Sequence, residues 1–338
     1  MSKHVHPEYH KWMLDAATHP TATRRVKFEE TRYSLVYKTG AEVYKIRKTG
    51  PIYSSLAIKE VFAREALLLG RRWAPQVYQA VTAIVKTPAA YALGGEGAPL
   101  DYAVRMTQLP EHHWAEYLAT EQKLTATTLG RIARYLAEHH AQAPAGEHMT
   151  AAGRPEHFIG LQDEVCYQVK RFVGTALTQG MFDLVARPMA HFLEHGRKLF
   201  LKRQKKNRAV DGHGAFSPRH VFVKTVEVEA IGILDGQQKY RVLDAANDVA
   251  TFANGLRLLG APEEAALFVK RYAAAAHDRD LEEILPSYQI LQSMRAGLSL
   301  CEWASDGSLD EERQAQATER AHQHFALAVE VAKELPKL

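Results

Sequence analysis

The stretch DGHGAFSPRHV, at residues 211–221, is the most informative part of this sequence. It opens a segment, 210–244, that is dense in β-branched residues and has a turn signal at Asp235-Gly236. Helical spacing of apolar residues precedes this segment from Thr125 onward, including one long run at 164–200, and follows it to the end of the chain. The pattern predicts a helical region with a short β island in its middle.

The first third of the chain has a different, β-rich pattern. Apolar residues alternate over 26–47 on both sides of Thr39-Gly40, which predicts an antiparallel hairpin. A helix is predicted over 58–73, and strands over 76–85 and 102–109. Together with the helical remainder, this order of elements predicts an α+β, protein-kinase-like bilobal fold.

Three regions follow from this pattern. Residues 1–25 are predicted to form an N-terminal extension, 26–110 an N-lobe, and 111–338 a helical C-lobe that contains the loop-like segment 211–221. A composition of 46% hydrophobic and 24% charged residues is sufficient for a packed core in both lobes.

Charge and cysteine content narrow the classes of function. The net charge of +4 over 338 residues does not predict nucleic-acid binding without a local cluster. Cys166 and Cys301 fall in helical patterns without the spacing of a zinc or redox motif. The sequence has no apolar run long enough for a signal peptide or a membrane span, so we expect a cytoplasmic protein.

The 211–221 stretch resembles the catalytic loop of phosphotransferase-like domains related to the aminoglycoside phosphotransferases, which are often fused to an ATPase module in bacterial proteins. That loop reads approximately DGHGDLHxxHV. The resemblance extends in register to 44–48, 65–75, 102–110 and 244–250, and it covers most of the chain between residues 30 and 303.

The resemblance implies an altered catalytic centre. The aspartate that accepts or orients the proton of the attacking hydroxyl is replaced here by Ala215, which can do neither. The next histidine of the pattern is Ser217. Asp211 and His213 are the remaining candidate catalytic residues of the loop.

The resemblance also implies a nucleotide site in the N-lobe. Lys45 lies in the second strand of the predicted hairpin, and Glu65 in the following helix is placed to form the ion pair that directs such a lysine toward phosphates. Backbone groups between Met106 and Gln108 are the candidate partners of an adenine ring. ATP and Mg²⁺ are therefore the candidate cofactors.

For the metal, His220 stands where relatives have asparagine or histidine, and one aspartate is expected on the following strand. Its position is open. Ungapped counting from Asp244 leads to Gly232, the hydrophobic pattern before Asp235 selects that residue, and a third alignment uses Asp244 itself. With Gly232 at this position, Mg²⁺ binding would be impaired.

Three functional hypotheses follow. The first is a catalytically impaired phosphotransferase-like protein, a pseudokinase, that binds a nucleotide or metabolite and acts through a protein partner or as a regulator. The second is an active ATP-dependent phosphotransferase or nucleotidyl transferase with a non-standard base. The third is a nucleic-acid-associated or assembly protein that uses the basic run 197–208, although such a run is also typical of a solvated helix end.

Overall fold

The computed structural model describes residues 6–19, 25–144, 146–224 and 227–337. The chain divides into two compact units. The N-terminal unit ends at Glu111 and also includes Glu229–Gln237, and the C-terminal unit runs from His112 to Val228 and from Gln238 onward. The division lies one residue from the expected lobe boundary, but the sequence did not predict that 229–237 groups with the N-terminal unit. The predicted extension 1–25 lies partly outside the described residues.

The N-terminal unit is a six-stranded antiparallel sheet with one long helix. Its elements are α1 (His10–Leu14), β1 (Lys27–Glu30), β2 (Ser34–Lys38), β3 (Glu42–Arg47), α2 (Leu56–Trp73), β4 (Tyr78–Lys86), β5 (Tyr91–Leu93) and β6 (Pro99–Thr107). The strand order is β1-β2-β3-β6-β4-β5. The predicted hairpin is β2–β3, in which Leu35 pairs with Ile46 and Tyr37 with Tyr44. The prediction had not separated β1 and β5 from their surroundings.

The sheet is covered on both faces. On one face Tyr44 and Ile46 pack with Tyr9 and Met13, so the described part of the N-terminal extension belongs to the core. Residues of α2 pack with Val104 and Met106 on the other face. Helix α2 begins after Ser55, whose hydroxyl accepts a hydrogen bond from the Ile58 amide, and it ends before Ala74-Pro75 as the sequence predicts.

From residue 112 the chain is mostly helical. Its elements are α3 (Ala115–Thr120), α4 (Ala126–Ala141), α5 (Glu147–Ala152), α6 (Pro155–Val169), α7 (Gln179–His195), α8 (Arg197–Lys205), β7 (Ala209–Asp211), β8 (Val221–Val223), β9 (Val228–Ala230), β10 (Val242–Asp244), α9 (Ala246–Leu258), α10 (Pro262–Ala275), α11 (Leu281–Ser305) and α12 (Glu311–Ala332). The β island is present as predicted, but the helical run expected over 164–200 is wrong. It is divided among α6, α7 and α8, because residues 170–178 leave the α-helical conformation.

Helix α11 is the centre of the C-terminal unit, since it packs against α6, α9 and α12. Gly297 lets α12 approach closely, because a Cβ at this position would lie 2.6 Å from the ring of Phe325. Cys166 on α6 and Cys301 on α11 are both free thiols. Among the described residues, no helix combines the length and apolar character that crossing a membrane requires.

Candidate functional site

The loop 212–217 leaves the end of β7, which pairs antiparallel with β10. Two glycines permit its path. A Cβ on Gly212 would lie 2.4 Å from a carboxylate oxygen of Asp248, and Gly214 has a φ of 72°, in the left-handed region that favours glycine. The glycines of the motif are therefore required by a close approach and by a backbone conformation.

Asp248, on α9, binds the backbone of the loop. Its Oδ2 accepts a hydrogen bond from the amide of His213 and its Oδ1 one from the amide of Gly214, both at 2.7 Å. His140 Nε2 donates to the same carboxylate at 3.1 Å, and its Nδ1 lies 2.7 Å from the hydroxyl of Tyr272. Burial opposes ionisation of the carboxyl, but the hydrogen bonds and electrostatic attraction of His140 and His213 hold the pKa of Asp248 below its usual value. The loop backbone therefore rests on a buried carboxylate.

Ala215 stands at the tip of this ordered loop. Its carbonyl oxygen accepts a hydrogen bond from His220 Nδ1 at 2.8 Å, and the Ser217 hydroxyl lies 3.2 Å from the same nitrogen. The carbonyl of Gly214 accepts from Arg295 at 3.1 Å. The backbone of the loop is well supported, while the side chain at the expected base position is a methyl group.

His213 lies beneath the loop rather than on its surface. Its side chain is fully buried, with its ring edge-on to Phe216 at a centroid distance of 5.7 Å. This placement is typical of a packing residue of the loop. Its predicted catalytic role remains a prediction.

Each of the two candidate aspartates in the C-terminal unit forms an ion pair with an arginine. Asp211 receives a hydrogen bond from Arg241 Nε at 2.6 Å. Asp244 is bound by Arg203 at both oxygens, each at 2.7 Å, and Arg203 also binds Asp278 at 2.8 Å. Bidentate pairing of this kind leaves little capacity for a metal ion, so the geometry argues against the alignment that places the metal on Asp244.

The third candidate aspartate lies in the N-terminal unit. Asp235 is buried and forms an ion pair with Arg47 at the end of β3. The guanidinium of Arg47 also lies over the ring of Tyr53. Burial alone would lower the pKa of Arg47, but the Asp235 carboxylate raises it above its usual value. Gly232, with a φ of 74°, donates its amide to the Tyr78 hydroxyl at 2.9 Å.

Lys45 lies on the same strand as Arg47. Tyr44 and Ile46 are in the core of one sheet face, so Lys45 and Arg47 point to the opposite face, where α2 packs. The strand partners of Lys45 are Val36 and Val104. Glu65 lies in α2, as predicted, and its ion pair with Lys45 remains a prediction.

The structure limits which backbone groups between Met106 and Gln108 could contact an adenine ring. Met106 lies within β6, where it is paired with both β3 and β4. The amides of Thr107 and Gln108 donate to the carbonyls of Val77 and Ala41 at 2.9 and 2.8 Å. These amides are already used within the sheet edge, so only other groups of this segment remain for a base.

The donor set does not fit Mg²⁺ well. Mg²⁺ prefers carboxylate and water oxygens, whereas His220 offers an imidazole, and Asp235 and Asp244 are each paired with an arginine. Across the described ranges, three or more His, Cys, Asp or Glu side chains do not come together in a metal-binding group.

Several side chains of the basic run 197–208 are bound by other groups of the protein. Lys202 and Lys206 both pair with Asp280, and Arg208 donates to carbonyls of 276 and 277. The hydrogen bonds from these lysines lower the pKa of Asp280 to about 2. This geometry favours the solvated helix end over a nucleic-acid surface.

Most of the residues that hold the loop and its neighbouring aspartates in place were not predicted from the sequence. His140 was visible only as one of two neighbouring histidines on a predicted helix, and the arginine partners Arg241 and Arg203 carry no motif. Asp248 was part of the matched 244–250 segment, so the resemblance was the one signal that pointed to it.

Comparisons with known proteins agree with the predicted fold. No family model matches the chain, and no curated protein matches it significantly in sequence. Three solved structures illustrate the likeness. A choline kinase from Cryptosporidium parvum Iowa II has a TM-score of 0.51 at 11% identity, over 91% of this chain and 89% of that one. A choline/ethanolamine kinase family protein from Mesorhizobium loti has a TM-score of 0.52 at 14% identity, over 93% and 97%.

The GDP complex of wild-type aminoglycoside 2'-phosphotransferase-IIIa has a TM-score of 0.53 at 16% identity, over 95% of this chain and 99% of that one. Sequence identities this low show only that the fold is shared. The structural likeness confirms the fold predicted from residues 211–221 and their surroundings. The chain has the protein-kinase-like bilobal α+β fold found in choline kinases and aminoglycoside phosphotransferases.

Proposed function

We propose that this protein is a catalytically impaired phosphotransferase-like protein that binds a nucleotide or another phosphate-bearing metabolite and acts as a regulator or through a protein partner. The observation that carries the proposal is the loop 212–217. Its backbone is held by Asp248 and Arg295, yet the position expected to supply the base is Ala215. A supported loop without its base favours retained binding over efficient transfer.

The candidate acids support the same conclusion. Asp211, Asp235 and Asp244 each receive hydrogen bonds from an arginine, which occupies carboxylate oxygens that a metal ion or a substrate hydroxyl would need. Loss of a general base costs about 10²- to 10⁴-fold in rate. Efficient transfer at the roughly 1–100 per second of kinases is therefore not expected.

Phosphate binding is still consistent with the N-terminal unit. Lys45 retains the strand position that contacts phosphates in kinases, and Arg47 lies two residues further on the same face. Because the donor set fits Mg²⁺ poorly, we expect nucleotide binding to depend little on this ion.

The experiment compares ADP formation from ATP by the wild-type protein, Ala215→Asp and Ala215→Asn, together with thermal unfolding with and without ATP and Mg²⁺. The aspartate restores a base and the asparagine is its uncharged match. We expect a shift in the unfolding temperature with ATP alone, negligible wild-type turnover, and at least a tenfold gain for Ala215→Asp only.

A double variant, Ala215→Asp with Gly232→Asp, covers the alignment in which the metal aspartate is also lost. A gain that appears only in the double variant would place the metal position at Gly232. Wild-type turnover near 1 per second or faster would instead establish the active-transferase hypothesis and end the proposal of impairment.

A further inference from the structure

The segment 229–237 brings Asp235 into the N-terminal unit. The amide of Gly232 donates to the Tyr78 hydroxyl at 2.9 Å, and Ile231 packs against the apolar cluster between α2 and the sheet. Asp235 itself forms its ion pair with an arginine of β3. A polar contact, an apolar contact and an ion pair therefore connect this segment to the sheet and to α2.

The carboxylate of Asp235 is removed from water, since its side chain is 2% exposed. Its Oδ1 accepts a hydrogen bond from Arg47. Its Oδ2 is buried and accepts no hydrogen bond from the residues that the structure describes. A buried carboxylate strongly destabilises a fold unless a cation lies beside it. The pairing with Arg47 is therefore the contact that permits a charged group at this position.

The guanidinium of Arg47 is also held by other groups. Its Nη1 donates to the Ser34 hydroxyl, on β2, at 3.0 Å, and its Cζ lies 5.1 Å from the ring centre of Tyr53. The Arg47 side chain is 11% exposed. A guanidinium that contacts a hydroxyl, an aromatic ring and a carboxylate has few other positions open to it. Its charge therefore has a fixed place beside Asp235.

This arrangement disagrees with a metal ion at Asp235, which is one of the alignments that the sequence left open. Mg²⁺ binds oxygen atoms at about 2.1 Å in a near-octahedral geometry and keeps several waters. A guanidinium bonded to Oδ1 occupies part of that space, and its positive charge repels a second cation. Arg47 and a metal ion therefore exclude each other at this carboxylate.

We propose that Arg47 takes the place of the metal ion at Asp235. Its guanidinium is an internal cation that neutralises the carboxylate and so keeps the segment 229–237 packed on the N-terminal unit with no metal required. Arg47 is a positioning residue in this role, because it acts through Asp235. The role does not depend on nucleotide binding, and its test contains no nucleotide.

The test is amide hydrogen exchange of the peptide 231–237, measured in EDTA and in millimolar MgCl₂ or CaCl₂ at an ionic strength held constant by sodium chloride. In the wild type we expect the same exchange rates in all three solutions. Arg47→Ala removes the guanidinium and leaves its space. We expect exchange at least about tenfold faster in EDTA for this variant, because the buried carboxylate has lost its cation.

A divalent cation should then replace the missing charge. We expect Mg²⁺ or Ca²⁺ to slow exchange in Arg47→Ala by at least about threefold, which corresponds to a dissociation constant no higher than about half the cation concentration. Two controls define the origin of this response. The uncharged pair Arg47→Ala/Asp235→Asn and the charge-retaining Arg47→Lys should both be insensitive to the cations.

Slower exchange of the wild type with Mg²⁺ or Ca²⁺, lost in Asp235→Asn, would overturn the proposal, because Asp235 would then bind a metal ion beside Arg47. No response of Arg47→Ala to either cation would also overturn it. If Arg47→Ala does not fold in EDTA, refolding from urea gives the same comparison. Recovery only with a divalent cation supports the proposal, and no recovery in any solution, while the double variant folds, contradicts it.

Discussion

Charged side chains have different surroundings in two regions of the C-terminal unit. Around the loop 212–217, Asp211 and Asp244 are each neutralised by an arginine, and the buried Asp248 is satisfied by backbone amides and His140. At a cavity between α4 and α10, three arginines line a space that has no acidic residue. The carboxylates of the first region are bound by other groups of the protein, whereas the second region presents arginines that include the exposed Arg134 and Arg271.

This difference is informative because, in an enzyme, the catalytic region usually contains the charged groups that are not fully paired. Acid–base and metal-binding carboxylates must retain the ability to exchange a proton or to accept an ion, and they are often left partly unsatisfied for that purpose. In this protein the region that resembles a catalytic centre is satisfied.

The largest expected effect comes from breaking the most buried ion pair. Arg203 is 1% exposed and binds both Asp244 and Asp278. Replacing it in Arg203→Met leaves Asp244 without its cation and Asp278 with only the more distant Arg208, at 3.8 Å, so we expect a loss of about 3–5 kcal/mol in the free energy of unfolding. Urea unfolding measures this loss.

Lys205→Met, on the exposed side of the same helix, is the matched control and should change stability by less than about 0.5 kcal/mol. A loss below about 1 kcal/mol for Arg203→Met would mean that the paired aspartates do not depend on their arginine, and the contrast between the two regions would fail.

A pH titration tests a partly buried histidine, His324 on α12, whose surroundings disfavour its charged form. Burial first, and then the charge of Arg320, lower the pKa of His324 to about 4. Between pH 6.5 and 4 the unfolded chain takes up a proton at this histidine and the folded protein does not, so stability falls as the pH falls through this window. At pH 4.5 the loss relative to pH 7 is about 2–3 kcal/mol.

In His324→Gln this part of the pH dependence should disappear, whereas the exposed His191→Gln should leave it unchanged. Urea unfolding of the three proteins at pH 7 and pH 4.5 gives the comparison. Parallel pH profiles of the wild type and His324→Gln would show that His324 is protonated in the folded protein.

The smallest expected effect is at the cavity. Arg271→Gln removes one of the three positive charges that line this cavity, so in dilute chloride buffer its effect should be stabilising and no larger than about 0.5 kcal/mol. Urea unfolding at low and high salt measures it, because screening should reduce the difference between variant and wild type. A loss of more than about 1 kcal/mol would mean that Arg271 stabilises the fold through a contact of its own.

Much of the fold was predictable because periodic patterns depend on local geometry. The β2–β3 hairpin, helix α2 and helices α10 and α12 lie close to their predicted ranges. The failures also have local causes. Strand β1 reads Lys-Phe-Glu-Glu and lacks an apolar face, and β5 has only three residues, so neither forms a recognisable alternation.

The site was predictable only in part. The sequence located the loop and the replacement at Ala215, since both lie within one continuous motif. It did not predict that Thr107 and Gln108 use their amides within the sheet edge, or that three separate aspartates pair with arginines 30, 41 and 188 residues away. No pattern along the chain records such pairs, because their partners meet only after the chain has folded.

By itself, the sequence therefore determined most of the order of the elements and the kinase-like fold, and it has an alanine at position 215, where the resemblance predicts a base. Each of these depends on residues close together in the chain. The tertiary structure decided which charges are neutralised and which are not. A carboxylate or a guanidinium has the same chemistry in every sequence, but its capacity to bind a proton, a metal or a phosphate depends on the groups within a few ångströms of it. In this protein those groups are supplied by distant segments: Asp248 meets His140 beneath the loop, and Arg134 and Arg271 line the same cavity.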